Sequence, residues 1–145
     1  MPKELDLAEM AKVSRLFEAL DAAGRHRLLG LSQRLHKKAG EVICREGDDG
    51  GEFYVLASGE VRVTADSLEG EKELARLHHG QFFGEMAALS GGRRTATCTA
   101  VSDVDLVAFP AAAVEQILAE YPAAREMLHR VGVLRSEDAL QKMME

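Results

Sequence analysis

The middle of the chain, from Glu41 to Phe109, consists of short β-type runs separated by glycine-containing or acidic turns. The runs lie at 42–44, 53–56, 61–64, 74–77, 95–101 and 104–109. Runs of this length and spacing are typical of a small antiparallel sandwich or barrel. The turns at 47–51 and 58–60 contain glycine, which tolerates the positive φ of tight strand connections. The sequence therefore predicts an α+β, mainly β chain with an antiparallel barrel at 37–109.

Helices are predicted before this region, within residues 1–36. Asp6 and Glu9 form a capping-box-like start, and Asp21 is placed to cap a second helix. Apolar residues recur at helical spacing in both segments: Met10, Val13, Leu16, Phe17 and Leu20 in the first, and Leu28, Leu31 and Leu35 in the second. Gly40 then ends the helical pattern, so the strands begin after it.

Two further helices are predicted at 110–145. Pro110 is suited to the first position of one helix, and Pro122 ends that helix and begins another. The last helix has two apolar stripes: Met127, Val131 and Leu134 on one, and Val133, Leu140 and Met144 on the other. Two apolar stripes indicate that this helix makes two separate contacts, one with the core and one with a second surface.

The size and charge of the chain narrow its class. Its 145 residues suffice for one domain, 1–145, and are too few for two of ordinary size. A net charge of −6 without a basic cluster disfavours direct contact with nucleic acid, and no apolar run approaches the ~20 residues of a membrane helix. Cys44 and Cys98 are isolated thiols without CxxC spacing, and no signal-peptide pattern precedes them. A cytoplasmic protein is predicted.

Residues 83–96, which we call the cassette, indicate a ligand site. A short helix is predicted to begin at Gly84, and the free N–H groups of a helix start attract anions. Glu85 follows directly, although a bare anion would avoid a carboxylate, and Arg94 and Thr95 supply charge and donors at the far end. This combination predicts a ligand that carries both a phosphate and a diol.

The chain resembles the cyclic nucleotide-binding domain family. This module is shared by the catabolite activator protein, the regulatory subunit of protein kinase A and the cyclic nucleotide-gated channels. The matching motifs are Gly40-Glu41-Val42-Ile43, Glu46-Gly47-Asp48, Phe53-Tyr54-Val55, Ser58-Gly59-Glu60-Val61, Gly80-Gln81-Phe82-Phe83-Gly84-Glu85 and Arg94-Thr95-Ala96-Thr97. The resemblance implies an antiparallel β jelly-roll, or double-stranded β-helix, with N-terminal helices, a short cassette helix and two C-terminal helices.

The resemblance also implies roles for individual residues. Glu85 would accept a hydrogen bond from the ribose 2′-hydroxyl, and Arg94 would pair with the exocyclic phosphate oxygens. Other ligand contacts are implied for Phe83, Gly84, Met86, Ala87, Thr95, Ala96 and Thr97 in the cassette, for Val63 and Leu74 against the purine, and for Leu134 and Arg135 in a lid formed by the last helix. The plainer alternatives are a structural Glu85–Arg94 salt bridge and threonines that serve only as strand formers.

The resemblance implies a non-catalytic sensor of cAMP or cGMP. Thr95 favours cGMP, because a threonine there can bond the guanine amino group, whereas family frequency favours cAMP. Ligand binding would move the C-terminal helices about a hinge at 109–122. The output would be an unknown protein effector docked on the domain, or a homodimer through the stripe of Val133, Leu140 and Met144.

Two other functions compete with this prediction. One is a degenerate scaffold that keeps the fold for protein interaction without a ligand, although such a scaffold commonly loses the glutamate or the arginine. The other is a cupin-like metalloenzyme, which the His78-His79 pair suggests because histidines are common metal ligands. Neighbouring strand residues point to opposite faces, and no HxH with a following glutamate occurs, so neither a metal nor a catalytic activity is predicted.

Overall fold

The computed structural model describes residues 15–84 and 93–144. Its helices are α1 (Arg15–Glu18), α2 (Ala22–Gly30), α3 (Ala111–Leu118) and α4 (Pro122–Met144). Its strands are β1 (Gln33–Lys37), β2 (Val42–Cys44), β3 (Glu52–Ser58), β4 (Val61–Ser67), β5 (Gly70–Leu77), β6 (Phe82–Phe83), β7 (Thr97–Ala100) and β8 (Val104–Pro110). The predicted cassette helix falls mostly on residues 85–92, outside the described part of the chain.

The described strands form two four-stranded antiparallel sheets. One has the order β1-β8-β3-β6 and the other β2-β7-β4-β5, and strands distant in the sequence lie side by side in both. In the first sheet Tyr54 of β3 lies between Ala108 of β8 and Phe83 of β6. This arrangement confirms the predicted antiparallel β sandwich with helices before and after it.

Strand β3 contributes to two hydrophobic cores. Phe53 and Val55 pack with the helices, in a cluster that includes Phe17 of α1, and Tyr54 and Leu56 pack between the two sheets. Successive side chains of a strand point to opposite faces, so alternate residues of the run 53–56 enter alternate cores. All four are at most 5% exposed, which explains why the run contains no polar residue.

Strand β1 corrects the prediction that the second helix continues to Leu35. Helix α2 ends at Gly30, and Leu35 lies in β1 opposite Leu106 of β8. The five residues of β1 contain a single apolar side chain among polar and charged ones. Such a strand has almost no apolar alternation of its own, and pairing with β8 holds it in place. The barrel therefore begins inside the segment predicted to be helical.

Other boundaries differ by one to four residues, the most at β5, which begins at Gly70 rather than Leu74. Pro110 ends β8 and occupies the N-cap of α3 rather than its first turn, and β7 begins at Thr97 rather than Thr95. Helix α4 begins at Pro122 as predicted and continues through Gly132. Among residues 15–84 and 93–144, no helix has the length and apolar character needed to cross a membrane.

Candidate functional site

A cavity of about 390 Å³ lies between the sheet β2-β7-β4-β5, the described residues at the two ends of the cassette, and the second half of α4. The predicted site residues that line it are Val63, Leu74, Phe83, Gly84, Arg94, Thr95, Ala96 and Arg135. The structure therefore brings together residues from β4, β5, β6, the cassette and α4. Glu85, Met86 and Ala87 lie outside the described residues.

Two predicted residues are not among those lining the cavity. The Thr97 hydroxyl accepts a hydrogen bond from Glu46 N at 3.0 Å, so it ties β7 to the loop after β2. Leu134 is 60% exposed on α4, while Arg135, one position further, lines the cavity. Adjacent helical residues differ by about 100° in direction, and here Leu134 is turned towards solvent while Arg135 is turned towards the cavity.

Arg94 is the most strongly fixed residue of the site. Its side chain is only 6% exposed, and its guanidinium donates to Glu52 O at 2.7 Å and to Gly84 O at 3.4 Å. Its Cζ lies 5.5 Å from the Tyr54 ring centroid. The backbone is held as well, because Arg94 N donates to Asp48 O at 2.7 Å. A planar guanidinium has five N–H donors, so two carbonyls leave further donors for a ligand.

Gly84 permits the close approach of Arg94. Its φ is +87°, a conformation that L side chains rarely adopt. A Cβ on Gly84 would lie 2.6 Å from Arg94 Nη1 and 3.1 Å from Glu52 O. The glycine predicted to begin the cassette helix is therefore also required for the position of the arginine.

Tyr54 packs against two site residues, Arg94 and Phe83. The sequence did not indicate this role. Its ring stacks on Phe83 at a centroid distance of 5.0 Å. Burial and then the charge of Glu52 raise the pKa of Tyr54 to about 12, although the Arg94 charge acts in the opposite sense. The phenol is therefore neutral at physiological pH and offers Arg94 an aromatic face. Its sequence signals are its place in an apolar run and in the motif Phe53-Tyr54-Val55, neither of which points to a role beside Arg94.

Cys44 and Cys98 are not isolated thiols, which corrects the sequence interpretation. They are cross-strand partners on β2 and β7, and both line the cavity. A hydrogen bond with Cys98 lowers the pKa of Cys44 to about 7; burial opposes this shift, and the positive charge of Arg94 adds to it. The separation of 54 positions in the sequence, from 44 to 98, gave no sign of this pairing.

The second half of α4 lies over the cavity. Its residues that line the cavity are Arg135, Asp138, Ala139, Leu140 and Met143. The sequence predicted this position for Arg135 but not for Leu140 or Met143. Arg135 Cζ is 5.1 Å from the Phe82 ring centroid. Lysines join this helix to β5: Lys72 Nζ donates to Lys142 O at 2.9 Å, and Lys142 Nζ donates to Leu74 O.

The opposite wall of the cavity is apolar. Val63, Ala65, Leu74 and Leu77 line it from β4 and β5, and Val63 lies opposite both Ala75 and Cys98 in the register of the sheet. An apolar wall and a buried arginine in one cavity suit a ligand with one aromatic and one anionic end. Fold and site together define a β-sandwich module with a cavity for a small ligand beneath helix α4.

The chain belongs to the cyclic nucleotide-binding domain family, whose family model matches residues 34–121. Cyclic nucleotide-gated channel alpha-4 of Mus musculus is 30% identical over 132 residues, covering 87% of this chain and 22% of the channel. The rod photoreceptor channel subunit alpha of Gallus gallus is 32% identical over 130 residues, covering 86% and 20%. The chain thus spans about a fifth of the length of these relatives.

Solved structures agree with this membership. The catabolite activator protein of Thermus thermophilus superposes with a TM-score of 0.77 at 32% identity, covering 90% of this chain and 62% of that protein. PKAR CBD2 with bound Sp-2Cl-cAMPS has a TM-score of 0.79 at 23% identity, covering 95% and 87%. The second likeness concerns the fold, because its identity is low.

Proposed function

We propose that this domain is a non-catalytic sensor that binds a cyclic nucleotide in the cavity and transmits its binding through α4. The observation that carries the proposal is the buried Arg94, fixed beside Gly84 at the edge of an apolar cavity. Among residues 15–84 and 93–144, no carboxylate forms a salt bridge with Arg94. Within the described residues two carbonyls and the face of Tyr54 hold this guanidinium, and a buried cation held in this way is suited to an anionic ligand.

The ligand is oriented by the two ends of the cavity. Arg94 and Thr95 take the cyclic phosphate, and Val63 and Leu74 lie against the purine. Glu85, outside the described residues, accepts the ribose 2′-hydroxyl in this proposal. Arg135 covers the base in this proposal, because its side chain lines the cavity and its guanidinium can stack on an aromatic ring, as it does on Phe82.

We assign cAMP as the ligand rather than cGMP. A structure 28% identical to this chain, with a TM-score of 0.70, is cAMP-bound PfPKA-R. Thr95 lines the cavity and provides the hydroxyl through which guanine would be recognised, which makes cGMP the second candidate. Comparing both nucleotides on the same protein distinguishes them.

The output passes through the exposed side of α4. Val133, Leu140 and Met144 are 44%, 64% and 78% exposed, and they are the stripe predicted to contact an effector protein or a second copy of the chain. Leu140 also lines the cavity, so the stripe adjoins the ligand side of the helix. Arg135, Ala139 and Met143 of the same helix line the cavity. One helix thus connects the cavity to a surface suited to an effector in the cytoplasm.

Isothermal titration with cAMP and with cGMP tests the proposal. The wild-type protein should bind cAMP with micromolar or tighter affinity. Arg94→Ala should weaken binding about 10- to 100-fold, because hydrogen bonds to charged groups contribute ~1.5–3 kcal/mol. Arg93→Ala is the matched control, since Arg93 is exposed and should bind like the wild type.

The alternatives give different results. Absence of heat with both nucleotides, together with an unchanged melting temperature, would favour the degenerate scaffold. A bound transition metal in the purified protein would favour the cupin-like enzyme; among the described residues, no group of three His, Cys, Asp or Glu side chains is placed to hold one. Equal affinities of Arg94→Ala and the wild type would remove Arg94 from the site.

A further inference from the structure

The cavity contains a pair of thiols to which the proposed function assigns no role. Cys44 of β2 is the cross-strand partner of Cys98 of β7, so their side chains project from the sheet at adjacent positions. Both line the cavity. Cys98 is 6% exposed and Cys44 is half-buried, so the cavity is the route by which a small solute reaches the pair.

The local backbone allows the two sulfurs to meet. Cβ atoms of directly opposed residues in antiparallel strands are ~4.5–5.5 Å apart, whereas a disulfide needs ~3.5–4.5 Å. The register of β2 shifts between Val42 and Cys44, and β2 is a three-residue strand at the edge of its sheet in the described structure. A short edge strand next to a bulge can move this distance without displacing the other strands.

The surroundings of Cys44 favour its thiolate. The groups that face it are Cys98 from β7, Arg94 and Asp48 from the loops, and Tyr54 from β3; Glu46 lines the same cavity. The hydrogen bond with Cys98 has the largest effect on the Cys44 pKa, lowering it to about 7, with a smaller contribution from Arg94. Thiolates are the reactive form of cysteine, so Cys44 is the nucleophile of the pair.

We propose that Cys44 and Cys98 form a redox-active dithiol that closes to an intramolecular disulfide when it meets a hydroperoxide. The Cys44 thiolate attacks the peroxide oxygen, the O–O bond breaks, and the departing oxygen takes up a proton; with hydrogen peroxide it leaves as water. The Cys44 sulfenic acid formed is then attacked by the Cys98 sulfur, and a second water departs as the S–S bond forms. The two thiols lose two electrons and two protons, and the peroxide is reduced.

Oxidation changes the charge near Arg94, and this consequence rests on the proposed function. In the reduced protein a Cys44 thiolate partly offsets the positive charge of Arg94, because the two groups interact electrostatically. A disulfide carries no charge, so the oxidised cavity holds a cyclic phosphate more tightly. The dithiol therefore couples peroxide to nucleotide affinity.

The first test requires no nucleotide. The full chain is treated with hydrogen peroxide under native conditions, and its free thiols and intact mass are measured. Both thiols should disappear, the mass should fall by two hydrogen atoms, and dithiothreitol should reverse the change. Cys44→Ala and Cys98→Ala should form no intramolecular disulfide. Two thiols that still titrate, a dimer linked between chains, or oxidation that stops at a sulfinic acid would overturn the proposal.

The second test measures the coupling. cAMP is titrated into the reduced and the oxidised protein, and the oxidised form should bind several-fold more tightly. Equal affinities would overturn the coupling. If the disulfide forms but neither redox state binds cAMP or cGMP, the redox site stands and the proposed function fails.

Discussion

Gly84 and Arg94 occupy positions that depend on each other: a Cβ at Gly84 would lie 2.6 Å from Arg94 Nη1, and the Gly84 carbonyl accepts a hydrogen bond from the same nitrogen. The glycine at the start of the cassette and the arginine near its end are thus packed as one unit. Any side chain at residue 84 must displace the guanidinium that the proposed phosphate contact requires.

Gly84→Ala is expected to weaken cAMP binding by about tenfold or more and to lower the melting temperature. The φ of +87° strains any L residue, and the new methyl group displaces Arg94; strain of this kind costs of order 1–3 kcal/mol. Titration calorimetry and thermal unfolding measure the two effects. Gly30→Ala is the control, because a Cβ there meets nothing within 4 Å; equal behaviour of the two variants would contradict the assignment.

Arg135→Ala is expected to weaken nucleotide binding several-fold while leaving the melting temperature nearly unchanged. Arg135 lies against Phe82 and lines the cavity, but it is not part of either buried core. Arg130→Ala is the matched control on the same helix, where the arginine pairs with Glu126 in solvent. The prediction fails if both variants bind cAMP like the wild type.

Tyr121→Phe is expected to reduce the loss of stability in acid. Asp21 accepts hydrogen bonds from Gly24 N and from the Tyr121 hydroxyl, both at 2.8 Å. These bonds, Gly24 first, lower the pKa of Asp21 from 3.8. A carboxyl group whose pKa is lowered in the folded state contributes stability when the pH is above its ordinary pKa. This contribution is lost as the pH falls through the lowered pKa. The wild-type melting temperature should therefore fall more steeply below about pH 5 than that of the variant.

Asp21→Asn is the companion variant for this experiment. It removes the titration, while its amide oxygen can still accept a hydrogen bond from Gly24 N. Its melting temperature should depend least on pH in this range. Parallel pH profiles for the wild type, Tyr121→Phe and Asp21→Asn would show that the contact between the N-cap of α2 and Tyr121, the residue before α4, has no part in acid sensitivity.

Leu128→Ala and Leu134→Ala are expected to separate the two halves of α4. Leu128 is fully buried in the core that contains Phe17 and Phe109, while Leu134 is 60% exposed. The first substitution should cost about 2–5 kcal/mol of unfolding free energy, since a buried leucine leaves a cavity. The second should cost less than about 0.5 kcal/mol. Urea unfolding of both variants measures the difference. Similar losses of unfolding free energy would contradict the assignment of Leu128 to the core and of Leu134 to the surface of α4.

The sequence predicted the elements that carry strong local patterns. The run 53–56 is uniformly apolar because β3 is covered on both faces, and turns containing Gly47 and Gly59 adopt the positive φ expected of them. Pro122 begins α4 as expected. In the site, Arg94 and Gly84 line the cavity together, and both belong to the short cassette motif at 83–96.

What the sequence did not reveal depends on contacts between distant segments. Strand β1 was predicted to be helical because its single leucine fits either period, and only β8 makes it a strand. The meeting of Cys44 and Cys98 follows from the pairing of β2 with β7, which no local pattern encodes. Arg135 rather than Leu134 faces the cavity because of the rotation of α4, which the buried Ala124 and Leu128 fix from the other end of the helix.

The two-sided burial of β3 also determines how the domain unfolds. A shift of one residue in its register would send Phe53 and Val55 into the inter-sheet core and Tyr54 and Leu56 towards the helices. Because β3 contributes to both cores, unfolding of this strand would disrupt the two together. We expect amide hydrogen exchange in β3, β8 and α3 to report one global opening, so the domain offers proteases and chaperones a fully folded or a fully unfolded chain.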